Sequence, residues 1–177
     1  EMCIRDRVYA PAFTNYVEGI YVGYKYYETA AQEGAIDYDK TVQYPFGYGL
    51  SYTEFEQKMG ELKEKDGQIS VDVEVTNTGD VAGKDVVEVY YKPPYTNGGI
   101  EKSSANLIEF AKTDLLQPGE SQTVTVTFSI EDMASYDENN AKAYVLEKGD
   151  YVISINSDSH TVLDQKTYTA DKDVVYK

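Results

Sequence analysis

The stretch Gln68-Ile69-Ser70-Val71-Asp72-Val73-Glu74-Val75-Thr76-Asn77-Thr78-Gly79-Asp80 alternates apolar and polar residues and then runs into turn chemistry. In an extended chain Ile69, Val71, Val73 and Val75 share one face, and Ser70, Asp72, Glu74 and Thr76 share the other. That is the pattern of a half-buried strand. The same period of two returns downstream, where Thr123, Thr125, Thr127 and Ser129 alternate with Val124, Val126, Phe128 and Ile130. A slip of one residue would turn each stretch inside out, so both fix their own register.

Working outward, residues 85–92 predict a second strand, stopped by Pro93-Pro94, which cannot donate to a ladder. Further strands are expected at 106–115, 143–146, 151–156 and 161–169, with turns at Pro118-Gly119-Glu120 and Lys148-Gly149-Asp150. About seven short strands at regular spacing over about a hundred residues predict an antiparallel β-sandwich of immunoglobulin type across 68–169. Val71, Val73, Val75, Val124, Val126, Phe128, Ile153 and Ile155 are its expected inward face.

Residues 8–58 are of another kind, rich in tyrosine and punctuated by glycine. Tyr16, Ile20, Gly23, Tyr24 and Tyr27 follow helical spacing and predict a helix over 18–31, ended near Gly34. The alternation Glu18, Ile20, Val22, Tyr24, Tyr26 also suits a strand. The polar residues 59–67 read as a linker entering the first strand, and 170–177 as the start of a following linker.

Within this region lies Tyr44-Pro45-Phe46-Gly47-Tyr48-Gly49-Leu50-Ser51-Tyr52-Thr53, an irregular crossing in which Pro45 biases Tyr44 towards extended geometry and the glycines permit close approach. Together with Tyr16-Val17-Glu18-Gly19-Ile20-Tyr21-Val22-Gly23-Tyr24-Lys25-Tyr26-Tyr27 it resembles the end of the α/β sandwich domain of glycoside hydrolase family 3, which includes β-glucosidases and β-xylosidases. Lys25 stands where that pattern has arginine, keeping the charge but losing a planar bidentate donor. The resemblance extends through Val75-Thr76-Asn77-Thr78-Gly79-Asp80-Val81-Ala82-Gly83, Leu115-Leu116-Gln117-Pro118-Gly119-Glu120-Ser121, Tyr136-Asp137 and Gly149-Asp150-Tyr151. These look like the fibronectin type III-like domain that follows the Gly-Leu-Ser-Tyr motif in many members. The fold class expected is therefore mainly β: a fibronectin type III-like sandwich at 68–169, preceded at 8–58 by a partial α/β-domain tail.

What the resemblance implies is a parent enzyme that hydrolyses terminal β-glycosidic bonds with retention, without a cofactor. Its partner would be a β-linked oligosaccharide or glycoside, met through catalytic domains on which this region packs. A retaining glycosidase needs two carboxyl groups about 5–5.5 Å apart. In the family these are an aspartate on a (β/α) barrel and a glutamate earlier in the α/β domain, and no residue here maps onto either. No catalytic, substrate-binding or metal residue is assigned to this chain, and Glu18 is expected to be a structural cap or hydrogen-bond partner.

The remaining motifs favour plain roles. Ser51 sits in half a nucleophile elbow, with Thr53 in place of the second glycine, and the only histidine, His160, is expected in an exposed turn. Gly47-Tyr48-Gly49 lacks a dinucleotide loop's third glycine. Asp137-Glu138-Asn139-Asn140 lacks calcium-loop spacing and reads as a hairpin turn. Tyr90, Tyr91 and Tyr95 suit either a sugar-stacking platform or packing, and packing is favoured. The alternative to the hydrolase is a free-standing immunoglobulin-like module for glycan binding or adhesion.

Composition bounds the rest. With 16 basic against 31 acidic residues, the net charge of -15 argues against nucleic acid or an anionic membrane surface as partner. No apolar run approaches the roughly 18 residues of a membrane span, and no secretory h-region is visible, which leaves a cytoplasmic or a secreted location open. Glu1-Met2-Cys3-Ile4-Arg5-Asp6-Arg7 back-translates to GAG ATG TGT ATA AGA GAC AG and a purine, similar to a transposon-end sequencing adapter, and is set aside as a scar. The only cysteine, Cys3, lies inside it, so disulfides and thiolate sites are not expected.

Overall fold

The computed structural model describes residues 19–177, so the expectations for 1–7, Tyr16 and Glu18 fall outside the described residues. Among the described residues ten strands follow two α-helices: α1 (Tyr24–Gln32), α2 (Tyr38–Thr41), β1 (Phe55–Lys65), β2 (Gln68–Asn77), β3 (Val86–Lys92), β4 (Asn106–Lys112), β5 (Ser121–Ser129), β6 (Ser135–Asp137), β7 (Ala143–Leu146), β8 (Gly149–Asn156), β9 (Val162–Ala170) and β10 (Val174–Tyr176). A sheet in the order β1-β2-β5 faces one in the order β4-β3-β8-β9, and a small sheet, β10-β7-β6, adds to them. Every pairing is antiparallel. No helix among the described residues is long and apolar enough to cross a membrane.

The period-two stretches are β2 and β5, and they pair with Ile69 opposite Phe128, Val71 opposite Val126 and Val73 opposite Val124. All eight residues expected to face inward are buried, and Val87, Val89 and Tyr151 join them from the facing sheet. Burying each such valine or isoleucine side chain contributes about 1.5–3 kcal/mol. Tyr151 adds a polar device, for its hydroxyl donates to Glu147 O at 3.0 Å. A tyrosine at the start of a strand bonding back a few residues upstream is the corner that closes immunoglobulin-like sandwiches.

Three expectations are corrected. Residues 59–67 are not a linker: all but the last two belong to β1, and Asp66-Gly67, with φ of 51° and 76°, makes the tight turn into β2. The period is hidden because the register shifts between Met59 and Leu62, and because β1 is an edge strand whose outer face is charged. The end of the chain is not a linker either, since β10 pairs with β7 and rests Val174 and Tyr176 against the core. Three residues give too short a period to read. The first helix begins at Tyr24 rather than at 18, after Gly23 at φ 55°.

Candidate functional site

The described part of the tail, residues 19–54, has no sheet of its own and lies on the sandwich. Strand alternation explains where it docks. While Val87 and Val89 of β3 point into the core, Glu88 and Tyr90 emerge on the outer face, yet Tyr90 is buried. The tail supplies its cover. Tyr24 of α1 meets Tyr90 edge-on, with centroids 6.2 Å apart, and stacks on Phe46 at 4.6 Å. Such aromatic pairs are worth about 0.5–1.5 kcal/mol beyond their burial. The Tyr24 hydroxyl also accepts from Leu107 N at 3.0 Å, satisfying an amide of the edge strand β4, and Ser159 N donates to Phe46 O at 2.8 Å.

Gly47 makes this approach feasible. Its φ is 86°, and a Cβ there would stand 2.6 Å from Glu88 Oε2. The Glu88 carboxyl accepts from the Tyr90 hydroxyl at 2.8 Å, but burial, reinforced by repulsion from Asp158 and Asp85, raises its pKa. Burial likewise raises the Tyr24 hydroxyl.

Glu28 forms the second contact. It is the one buried residue of α1, at 8% exposure. Its Oε1 accepts from the Tyr38 hydroxyl at 2.6 Å and Ser159 Oγ at 2.9 Å, and its Oε2 lies 2.9 Å from His160 Nδ1. The His160 ring stacks on Tyr38, with centroids 3.7 Å apart. Burial, together with the hydrogen bond to Glu28, pushes the Tyr38 hydroxyl upward. One carboxylate thus gathers both tail helices and the β8–β9 turn. His160 is exposed in its turn, as expected, but it is engaged on one side rather than idle.

Asn77 anchors the third contact. The residue is fully buried at the end of β2, and its side chain uses all its hydrogen-bonding positions. Oδ1 accepts from Thr53 Oγ1 at 2.7 Å and Gly79 N at 3.1 Å, while Nδ2 donates to Val81 O at 2.8 Å and Leu116 O at 2.9 Å. A Cβ on Gly79 would lie 2.3 Å from Thr53 Oγ1. Thr53, the last residue of the ten-residue string, is therefore locked into the Asn77-to-Gly83 loop.

The serine and the histidine weighed for catalysis each have other partners. Ser51 Oγ accepts from Thr53 N and His160 is held by Glu28 and Tyr38, so no Ser–His pair forms among the described residues. Asp137 accepts from the amides of Asn139, Asn140 and Ala141, which holds its carboxyl below the usual range and makes this loop the expected turn. Of the three tyrosines weighed as a platform, Tyr90 is buried, Tyr91 packs on the core and Tyr95 is exposed. Neither Glu28 nor Glu88 was legible beforehand, because a lone acidic residue on a helix or strand carries no signal of what covers it.

Nine large apolar or aromatic residues between 19 and 54 remain exposed. Leu50 is 89% and Tyr52 99% exposed, and Tyr44, Phe46 and Tyr48 are also exposed. The chain has the form of a sandwich with a largely uncovered segment fastened to it.

That sandwich is a fibronectin type III-like domain, whose family profile matches residues 85–159. Across 92% of its length the chain is 40% identical to β-glucosidase A of Butyrivibrio fibrisolvens, of which it covers 21%. It superposes on β-glucosidase 3B of Thermotoga neapolitana with a TM-score of 0.77 at 36% identity, covering 92% of this chain and 21% of that one. For the glycoside hydrolase family 3 β-glucosidase of Bifidobacterium adolescentis the TM-score is 0.76 at 30% identity, covering 93% and 23%. The chain belongs to the fibronectin type III-like region of glycoside hydrolase family 3. It spans about a fifth of the length of these relatives.

Proposed function

We propose that the chain is the non-catalytic scaffold region of a β-glucosidase-like enzyme that hydrolyses terminal β-glycosidic bonds with retention. The observation that carries this is the clamp itself: residues of the tail motif, Tyr24, Phe46, Gly47 and Thr53, are spent on joining the tail to the sandwich, not on a cleft with paired carboxylates. In a double displacement one carboxylate attacks the anomeric carbon while an acid protonates the leaving oxygen. Both groups would lie on domains outside this chain, which also hold the glycoside. The exposed apolar residues at 44–52 would pack on those domains, since contiguous exposed apolar surface marks a covered face.

A gene that supplies the upstream domains should yield a protein that releases aryl aglycone from a β-glucoside or β-xyloside, with product retaining the β configuration. Inversion, or no turnover on any β-glycoside by a folded protein, would overturn the proposal. The free-standing module is disfavoured because its relatives are β-glucosidases about five times longer.

A further inference from the structure

Between β3 and β4 the chain passes through Thr96-Asn97-Gly98-Gly99, an exposed turn closed by Gly99 N donating to Thr96 O at 2.9 Å. Gly98 has a φ of 80°, and a Cβ built on it would meet nothing within 4 Å. An asparagine side chain reacts with its own backbone when the next residue's nitrogen reaches its carbonyl carbon. Two things hinder this: a side chain crowding that nitrogen, and a hydrogen bond holding its proton. The other five described asparagines are protected in both ways, since each precedes a residue with a Cβ. Thr78 N, after Asn77, donates to Glu54 O at 2.8 Å, and Leu107 N, after Asn106, to the Tyr24 hydroxyl at 3.0 Å. Asn140 N and Ala141 N, after Asn139 and Asn140, donate to the Asp137 carboxylate at 3.0 and 2.9 Å, and Ser157 N, after Asn156, to Thr161 O at 3.1 Å. Gly98 N alone has neither protection: it bears no side chain beside it and meets no acceptor among the described residues.

We propose that Asn97 is a site of spontaneous covalent modification, at which the chain deamidates itself through a cyclic succinimide. Base removes the Gly98 N–H proton and the nitrogen attacks Asn97 Cγ. The new C–N bond closes the ring as the Cγ–Nδ2 bond breaks and ammonia leaves. Water then opens the ring at either carbonyl, giving aspartate or isoaspartate. In sum, a side-chain amide and a water become a carboxylic acid and ammonia, with nothing oxidised or reduced. The loop that carries this site also clasps the tail: the Tyr21 hydroxyl donates to Glu101 Oε2 at 2.6 Å, and Ser104 N to Thr29 Oγ1 at 3.0 Å. Deamidation adds a negative charge to this loop, in a hollow that Asn97 shares with Glu33 of the tail and with Lys92. The inference is independent of the scaffold proposal, because the reaction needs only this chain and water.

The test incubates the full chain, folded and in denaturant, at neutral and mildly alkaline pH in water enriched in heavy oxygen, and follows each asparagine by peptide mass mapping. In the folded chain Asn97 should take up heavy oxygen about tenfold or more faster than any other described asparagine, the rate equivalent of one amide hydrogen bond. The products should be aspartate and isoaspartate together, formed faster at the higher pH. In denaturant the other sites should speed up while Asn97 changes little, because only their amides are released by unfolding. Gly98→Ala crowds the nitrogen and should slow conversion about tenfold. Asn97→Gln leaves the backbone as it is and requires a larger ring, so conversion at this position should cease, and it decides the matter if the alanine disturbs the turn. Conversion of Asn97 no faster than that of Asn139 or Asn140 overturns the proposal. So does a rate that folding lowers at Asn97 as much as elsewhere, or aspartate without isoaspartate, which marks direct hydrolysis of the side-chain amide.

Discussion

Asn77 shows how much one side chain can organise. Its amide holds Thr53 of the tail, the amide of Gly79 and the carbonyls of Val81 and Leu116, all from a fully buried position. Asn77→Ala strands these groups in the interior, where each unpaired group costs about 1–3 kcal/mol, and the net loss in urea unfolding should reach about 2–3 kcal/mol. An unchanged midpoint would show that water replaces the amide without cost. Glu88 makes the opposite case. Burial and the nearby Asp158 and Asp85 raise its pKa in the folded chain, so folding favours its protonated form. The stability this lends is fully present below the unfolded carboxyl value and is lost as the pH rises through the folded one. Glu88→Gln, which keeps an acceptor for Tyr90, should therefore raise the melting temperature at neutral pH, with the gain vanishing in acid. A gain that is equal at every pH would place the cause elsewhere than in ionisation.

At the scale of elements, the sequence was most legible where burial is one-sided and unbroken. The alternation in β2 and β5 survives because each strand presents one face to the core along its whole length. In β1 the same rule is interrupted between Met59 and Leu62, and the outward residues are so charged that the stretch imitates a linker. Hydrogen exchange separates the two descriptions, because a paired edge strand protects alternate amides whereas a linker protects none. Slow exchange is expected at the amides of 55–65 that bond to β2, and uniformly fast exchange there would contradict the register. The tail elements were less legible, since α1 owes its place to long-range contacts rather than to an apolar stripe: its buried residue is a glutamate. Gly47 is the point at which those contacts pass closest. Gly47→Ala combines an unfavourable φ with a clash at Glu88, and a loss of about 1–3 kcal/mol is expected, with faster protease cleavage near the Tyr24–Phe46 stack as its local signature.

For the whole molecule, the sandwich has a closed core and the tail has none of its own. The core cluster draws on both sheets, whereas the tail exposes Leu50, Tyr52 and their aromatic neighbours. Protease nicking and binding of an apolar dye should concentrate within 19–54, and uniform resistance along the chain would contradict an uncovered domain edge. The motif that identified the family was legible because it is used twice over, inwardly to clamp the sandwich and outwardly to present apolar surface. The chemistry was not, because the sequence carries the joint and not the paired carboxylates. The most direct measurement is turnover of an aryl β-glucoside by this chain alone, set beside a longer protein that restores the upstream domains. The chain alone should release aglycone no faster than buffer while the longer protein turns over. Turnover by the isolated chain, abolished by Glu18→Gln or Glu28→Gln without loss of fold, would contradict its role as scaffold.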